Sequence, residues 1–301
     1  RIERRDMVSY PNFFGGFLAF LSAFLWAAAS LIWNKLNKQN IAPISISLGK
    51  AVTACCCFIL AALFIGYDLP DKRNCLVLLV SGFLGISIGD TAFFYSLKYL
   101  GLRNSALLTV FIPIVVVLLA FLFLGEQLSF VKFFGIAACI YGTVAVVREH
   151  IPAGAPGNRR AGIAWACVSI VSCALSILIS KTALSSVGAF EASLLRLGSG
   201  TVGLLLLCAV KKNSFKEALY VLKPSFLKTL FLGSFFGTFL GIWCFIMALK
   251  YTLTSIATAV SGTSPIFVLL LSYWLLRERI SKNAAWGTVI AVSGGVLVLV
   301  F

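Results

Sequence analysis

Acidic side chains are scarce in this chain. Ten Asp and Glu stand against twenty-five Lys and Arg, and charged residues of both signs make up only 12% of 301. A soluble chain carries roughly 25%. Histidine occurs once, as His150 in a connecting stretch, so no apolar run holds a histidine base or ligand and no His-Glu-x-x-His pair exists. Paired carboxylates deep in the apolar runs are also missing. These lacks speak against an intramembrane enzyme, the remote alternative, and no cofactor or metal is expected. Strand-like alternation is absent, which excludes an outer-membrane barrel. The nine cysteines include Cys55-Cys56-Cys57. Such neighbours do not share a helix face, have no paired metal-ligand spacing, and read as small polarisable packing residues.

What remains is apolar. The chain is 60% hydrophobic with a mean hydropathy of +1.01. Runs near 20 residues recur, each long enough to cross about 30 Å of hydrocarbon as a helix, and only helices satisfy their own backbone there. Ten spans emerge, at about 13–33, 41–65, 75–97, 104–124, 130–147, 162–182, 190–210, 226–249, 255–276 and 283–301. The net charge of +15 sits almost wholly in connections, where it anchors helix ends at headgroups rather than pointing to nucleic acid. Ala27-Ala28-Ala29 after a basic start resembles a signal-peptidase site, but internal repetition argues for a retained first helix.

That repetition organises the chain. At a shift of 152, Gly85 meets Gly237, Gly89 meets Gly241, and Leu97-Lys98-Tyr99 meets Leu249-Lys250-Tyr251. Pro113 meets Pro265, Glu126 meets Glu278, Gly135 meets Gly287 and Gly142 meets Gly294. At a shift of 146, Ser30 meets Ser176, Lys35 meets Lys181 and Lys50 meets Arg196. Two five-helix repeats, 13–147 and 162–301, flank a Pro/Gly-rich linker at 148–161. Five is odd, so the second repeat enters from the opposite face. The fold class is therefore an all-α integral membrane protein of ten transmembrane helices in two inverted repeats. A charged connection at 211–225 reads as an interfacial turn. Loops on the side of the termini hold eight Lys/Arg and the other side fifteen, which by positive-inside counting favours outside termini.

The fourth and ninth spans run Ile112-Pro113-Ile114 to Leu124-Gly125-Glu126-Gln127-Leu128-Ser129, and Ser264-Pro265-Ile266 to Leu276-Arg277-Glu278-Arg279-Ile280-Ser281. With Ser-Leu-Lys-Tyr at 96–99 and Ala-Leu-Lys-Tyr at 248–251, they resemble the EamA family of the drug/metabolite transporter superfamily. The resemblance implies ten helices and export or exchange of small metabolites. It also implies a central cavity lined by the first four helices of each half, with the fifth and tenth peripheral. Arg277 departs from the pattern where Gly125 stands.

Of the ten carboxylates, nine, Glu126 among them, lie in connections or at span ends, and Asp90 alone is deep. The deep bases are Lys50 and Arg196. Counting from one membrane face at 1.5 Å per residue, Lys50 and Asp90 both lie roughly 10–14 Å below it, which predicts an ion pair. The pair is a lock between helices, or Asp90 gates or carries a proton. Arg196 faces no deep carboxylate, because Asp90's counterpart is Ile242. Its fork suits a substrate carboxylate or phosphate, unless it snorkels to the interface. Pro113 and Pro265 loosen their helices and read as hinges. Ser261-Gly262-Thr263-Ser264 reads as cavity wall or small-residue packing. Ser30 and Ser176 belong to a hydroxyl stripe, and Trp26, Tyr95 and Trp243 are mid-span aromatics that could stack on a substrate or fill core.

The expected protein is a secondary transporter of a small organic metabolite in the cell (inner) membrane, acting as a monomer by alternating access. Amino acids or their relatives are the preferred substrates, because a cationic site with aromatics suits a zwitterion or carboxylate. A proton-coupled antiporter and a nucleotide-linked metabolite carrier stay open as alternatives.

Overall fold

The computed structural model describes residues 2–37, 43–150, 158–210, 223–276 and 281–300. Most of the charged connection expected at 211–225 (211–222) and half of the linker (151–157) lie outside them, as does Glu278. Every described element is helical. In the first half, α1 (Ile2–Asn37), α2 (Pro43–Ile65) and α3 (Lys72–Gly82) lead through a π-helical segment, Phe83–Gly89, into α4 (Asp90–Thr109). α5 (Phe111–Leu124) and α6 (Phe130–His150) complete that half. The second half runs α7 (Arg159–Ala183), α8 (Ala189–Val210) and α9 (Pro224–Gly233), then a second π-helical segment, Ser234–Leu240. α10 (Gly241–Tyr251), α11 (Thr254–Ser261), α12 (Ser264–Leu276) and α13 (Lys282–Val300) follow. Among the described residues nine helices are long and apolar enough to cross a membrane, and Phe111–Leu124 is a tenth, shorter apolar helix.

Two boundaries differ from the sequence expectation. Helix was expected to stop at 97 and restart at 104, yet it persists to Thr109. The backbone still turns there. The hydroxyls of Ser96 and Ser105 lie 3.0 Å apart, whereas nine residues of straight helix rise about 13.5 Å. The span expected at 255–276 is interrupted at Gly262 and Thr263. Pro265 has no N–H to donate to the carbonyl a turn before it. Pro113 sets the matching interruption at Val110 three residues ahead of it.

The packing obeys a two-fold. α1 lies on α10 and α12, and its counterpart α7 lies on α4 and α5. α2 meets α8 and α6 meets α13, each element against its own repeat partner, and α5 packs on α11. The α6–α13 crossing gives the sense of the axis. A Cβ on Gly135 would stand 2.9 Å from the Gly294 carbonyl, and one on Gly287 2.9 Å from the Gly142 carbonyl. Position 135 thus faces 294 while 142 faces 287, so repeat-equivalent helices run antiparallel and the halves are inverted. Glycine is required at this crossing because backbone touches backbone. The large exposed apolar side chains, such as Phe64, Phe123, Phe130 and Trp274, form the surface that hydrocarbon solvates.

Candidate functional site

The π-helical segments place the site. Each adds one residue to a helical turn, a device that recurs at functional positions. The first brings Gly85 and Gly89 against Ser176 and Cys173 of α7. The second brings Gly237 and Gly241 against Ala29 and Trp26 of α1, and the position of a Gly241 Cβ lies 2.7 Å from the Trp26 indole. The third and eighth spans can therefore press onto the sixth and first, and aim Asp90 and Ile242 inward.

Asp90 meets Lys50 there. Lys50 Nζ donates to Asp90 Oδ2 at 3.2 Å, and the two side chains remain 24% and 34% exposed. They face a cavity of about 300 Å³ walled by Trp26, Ala29, Trp33, Ile86, Leu197, Thr238 and Ile242. Lys50 also stands 5.8 Å from the centre of the Phe94 ring. The cavity therefore offers one positive group, one negative group and two indoles in one wall. Trp33 and Thr238 were not singled out from sequence. Their depth on α1 and in the second π-helical segment, level with Lys50, was the available signal.

A second cavity of about 290 Å³ lies on the other side of Trp26. Pro113 and Pro265 both line it, with Cys173, Phe245, Ser261 and Ser264. The hydroxyl of Ser261 is engaged with Ser22 (3.0 Å) and the Ala19 carbonyl (3.3 Å). Of the patch at 261–264, Thr263 is turned away. It is buried, its hydroxyl donates to Val260 at 2.7 Å, and it lines neither cavity.

Five further expected site residues stand elsewhere. Ser30 is exposed and donates to its own helix at Ala27 (2.8 Å). Tyr95 stacks on Trp165, centroids 4.9 Å apart, against a ring 37% exposed on the outer surface. Trp243 sits in an aromatic cluster with Phe190 (5.5 Å) and Phe239 (6.0 Å). Ser176 is wholly buried and donates to the Ser81 carbonyl at 2.7 Å. Arg196, 7% exposed, sends Nη2 to the Ser176 hydroxyl at 3.0 Å, between α3, α7 and α8. Its Nε has no partner among the described residues, and it lines neither cavity. The expectation that no Gly-x-Ser-x-Gly occurs is corrected by Gly85-Ile86-Ser87-Ile88-Gly89, which spells the pattern of a hydrolase nucleophile elbow. Such a serine needs a strand-to-helix turn. Ser87 is inside the π-helical segment, fully buried, donating to the Gly200 carbonyl at 3.0 Å.

Among the described residues, nine membrane-length apolar helices and a tenth, shorter one form an inverted repeat with a partly exposed ion pair at its junction. The model of the EamA-like transporter family matches residues 13–148 and 160–300. The chain belongs to the EamA-like transporter family. This EamA-like transporter is 27% identical to an uncharacterized transporter of Archaeoglobus fulgidus over 94% of its own length and 96% of the relative's. It is 25% identical to Protein LicB of Haemophilus influenzae, covering 95% and 97% of the two chains. A solved crystal structure shares the EamA-like transporter's fold with a TM-score of 0.75 at 17% identity, over 94% of this chain and 97% of the other. As a family member it is a multi-pass integral membrane transporter of the drug/metabolite transporter superfamily.

Proposed function

We propose that this transporter carries a small zwitterionic metabolite, an amino acid or a close relative, by alternating access around the Lys50–Asp90 cavity. One observation carries the reading: an ion pair left a quarter to a third exposed inside a cavity between the halves. Full enclosure would strengthen the attraction but strip both ions of their hydration, whereas at this exposure a ligand can reach both partners. A half-solvated pair can open and hand each partner to a ligand of the opposite sign, Lys50 to a carboxylate and Asp90 to an ammonium. Trp26 and Trp33 supply flat apolar walls that also favour a cation.

In the same reading the protein acts as a monomer in the cell (inner) membrane, its repeats spanning 13–147 and 162–301. It works as a facilitator or exchanger, since one carboxylate held by a lysine is a poor proton relay. Thermal-shift measurements on the purified protein test the substrate class. Zwitterionic amino acids raise the melting midpoint, and Lys50→Met or Asp90→Asn removes the rise. Stabilisation confined to nucleotide-linked anions, retained in both variants, refutes the zwitterion.

A further inference from the structure

The ion-pair cavity belongs to one face of the membrane. Trp33, Lys50 and Asp90 lie toward the face where α1 ends and α2 begins. The opposite face, where α1 begins, is sealed, and the seal is built from charges the substrate cavity does not use. At that face the chain breaks between α10 and α11, around Thr252 and Leu253. The break leaves two helix ends with unpaired backbone groups.

Each end is held by a side chain of the opposite sign from another element. Glu126, 8% exposed, accepts from the amides of Thr254 (2.7 Å) and Ser255 (3.1 Å) and from the Ser255 hydroxyl (2.8 Å). That places an anion on the N-terminus of α11. Lys181 of α7 donates to the carbonyls of Leu249 and Thr252, the latter at 2.8 Å, which places a cation on the C-terminus of α10. Lys250 donates across to Val187 at 2.9 Å and ties the α7–α8 turn to the same point. Gly125, at φ +63°, turns the chain back so that Glu126 can reach α11. The elements so joined are the ends of the fourth, sixth, eighth and ninth spans, drawn from both halves. Beneath them all eight residues of α11 are buried.

We infer that Glu126 and Lys181 form the latch that closes the transporter on the face where α1 begins, and that its release admits the substrate cavity to that face. The inference rests on the alternating-access reading above, but not on the identity of the substrate. Alternating access requires one face to be sealed while the other is open. A seal of charged caps on a helix break can be undone without dismantling apolar packing, because water can replace each cap.

The test reads access rather than transport. Cys173 lines the second cavity, which shares the Trp26 wall with the Lys50–Asp90 cavity, and in a background that keeps it as the sole cysteine it reports which face water reaches. Vesicles of determined orientation are treated with a membrane-impermeant maleimide from either side. In the parent protein, labelling proceeds from the face where α1 ends. Glu126→Gln and, independently, Lys181→Met each raise labelling from the face where α1 begins by about ten-fold, the shift expected for losing a charged hydrogen bond. Glu126→Asp, which keeps the charge, lies between the parent and Glu126→Gln. The inference is overturned if both neutral variants fold, by their melting curves, and label from the same face at the parent rate. It is also overturned if labelling rises equally from both faces, which is general loosening. A failed substrate assignment changes none of these readouts.

Discussion

Removing Asp90 while Lys50 stays leaves an ammonium roughly 24% exposed between helices with no other carboxylate within salt-bridge distance among the described residues. At 3.2 Å the attraction amounts to about 1 kcal/mol in bulk water and about 5 kcal/mol at an effective dielectric constant of 20. Fully exposed pairs net about 0–1 kcal/mol, and breaking a fully buried pair costs about 3–5 kcal/mol. An exposure of 24% and 34% on the two sides places this pair between those limits, at about 1–2 kcal/mol of coupling. Asp90→Ala alone should therefore destabilise more than the Asp90→Ala/Lys50→Met double, even though the double changes more atoms. Four proteins suffice: parent, two singles and the double, each melted in the same detergent without substrate. Effects that add within about 0.5 kcal/mol would show that the two charges do not depend on each other. The ion-pair basis of the cavity would then fall.

Other outcomes follow from the same geometry. Arg196→Lys loses the guanidinium bond to Ser176 in a buried site and should cost on the order of 1–3 kcal/mol; the half-saturating substrate concentration should stay near the parent value, and a rise of about ten-fold would place Arg196 on the substrate. Gly142→Val drives a branched side chain into the Gly287 backbone and Ala291, and should lower the melting midpoint by the equivalent of about 1–3 kcal/mol, more than Gly198→Val, where a Cβ meets open space. Substrate flux into proteoliposomes should be indifferent to an imposed pH gradient; uphill accumulation driven by the gradient and abolished in Asp90→Asn would make the protein proton-coupled instead.

The spans were legible because lipid imposes a single length scale, and a run of apolar residues either meets it or does not. The inversion was legible because five helices per repeat is an odd number, and the crossing of Gly135 with Gly294 and Gly142 with Gly287 realises it. Lys50 and Asp90 were legible as a pair because depth along two neighbouring helices can be counted in residues. Depth says nothing about azimuth, and the side chains that stand away from the two cavities differ from expectation there. Tyr95 sits near Asp90 in depth yet points outward to Trp165, and Ser30 shares a repeat position with Ser176 yet is exposed. The π-helical segments add a residue to a turn without altering hydropathy, so no apolar run betrays them. Glu126 reads as a loop carboxylate because it stands two residues past the end of α5. Its burial comes from Thr254 and Ser255, 128 and 129 residues away, which no local pattern contains. Arg196 is deep, as its position in the span implies, and the partner it meets is the Ser176 hydroxyl on another helix, which no local pattern contains.

The central claim is that a zwitterion moves through the Lys50–Asp90 cavity by alternating access, and counterflow tests it most directly. Proteoliposomes are loaded with an unlabelled amino acid that stabilises the purified protein, diluted, and given a trace of the labelled compound outside. The account predicts transient, saturable accumulation of label above equilibrium, absent in Asp90→Ala and in Lys50→Met. Flux that is linear in concentration and shows no overshoot would describe a channel, and overshoot retained in both variants would move the substrate to another site.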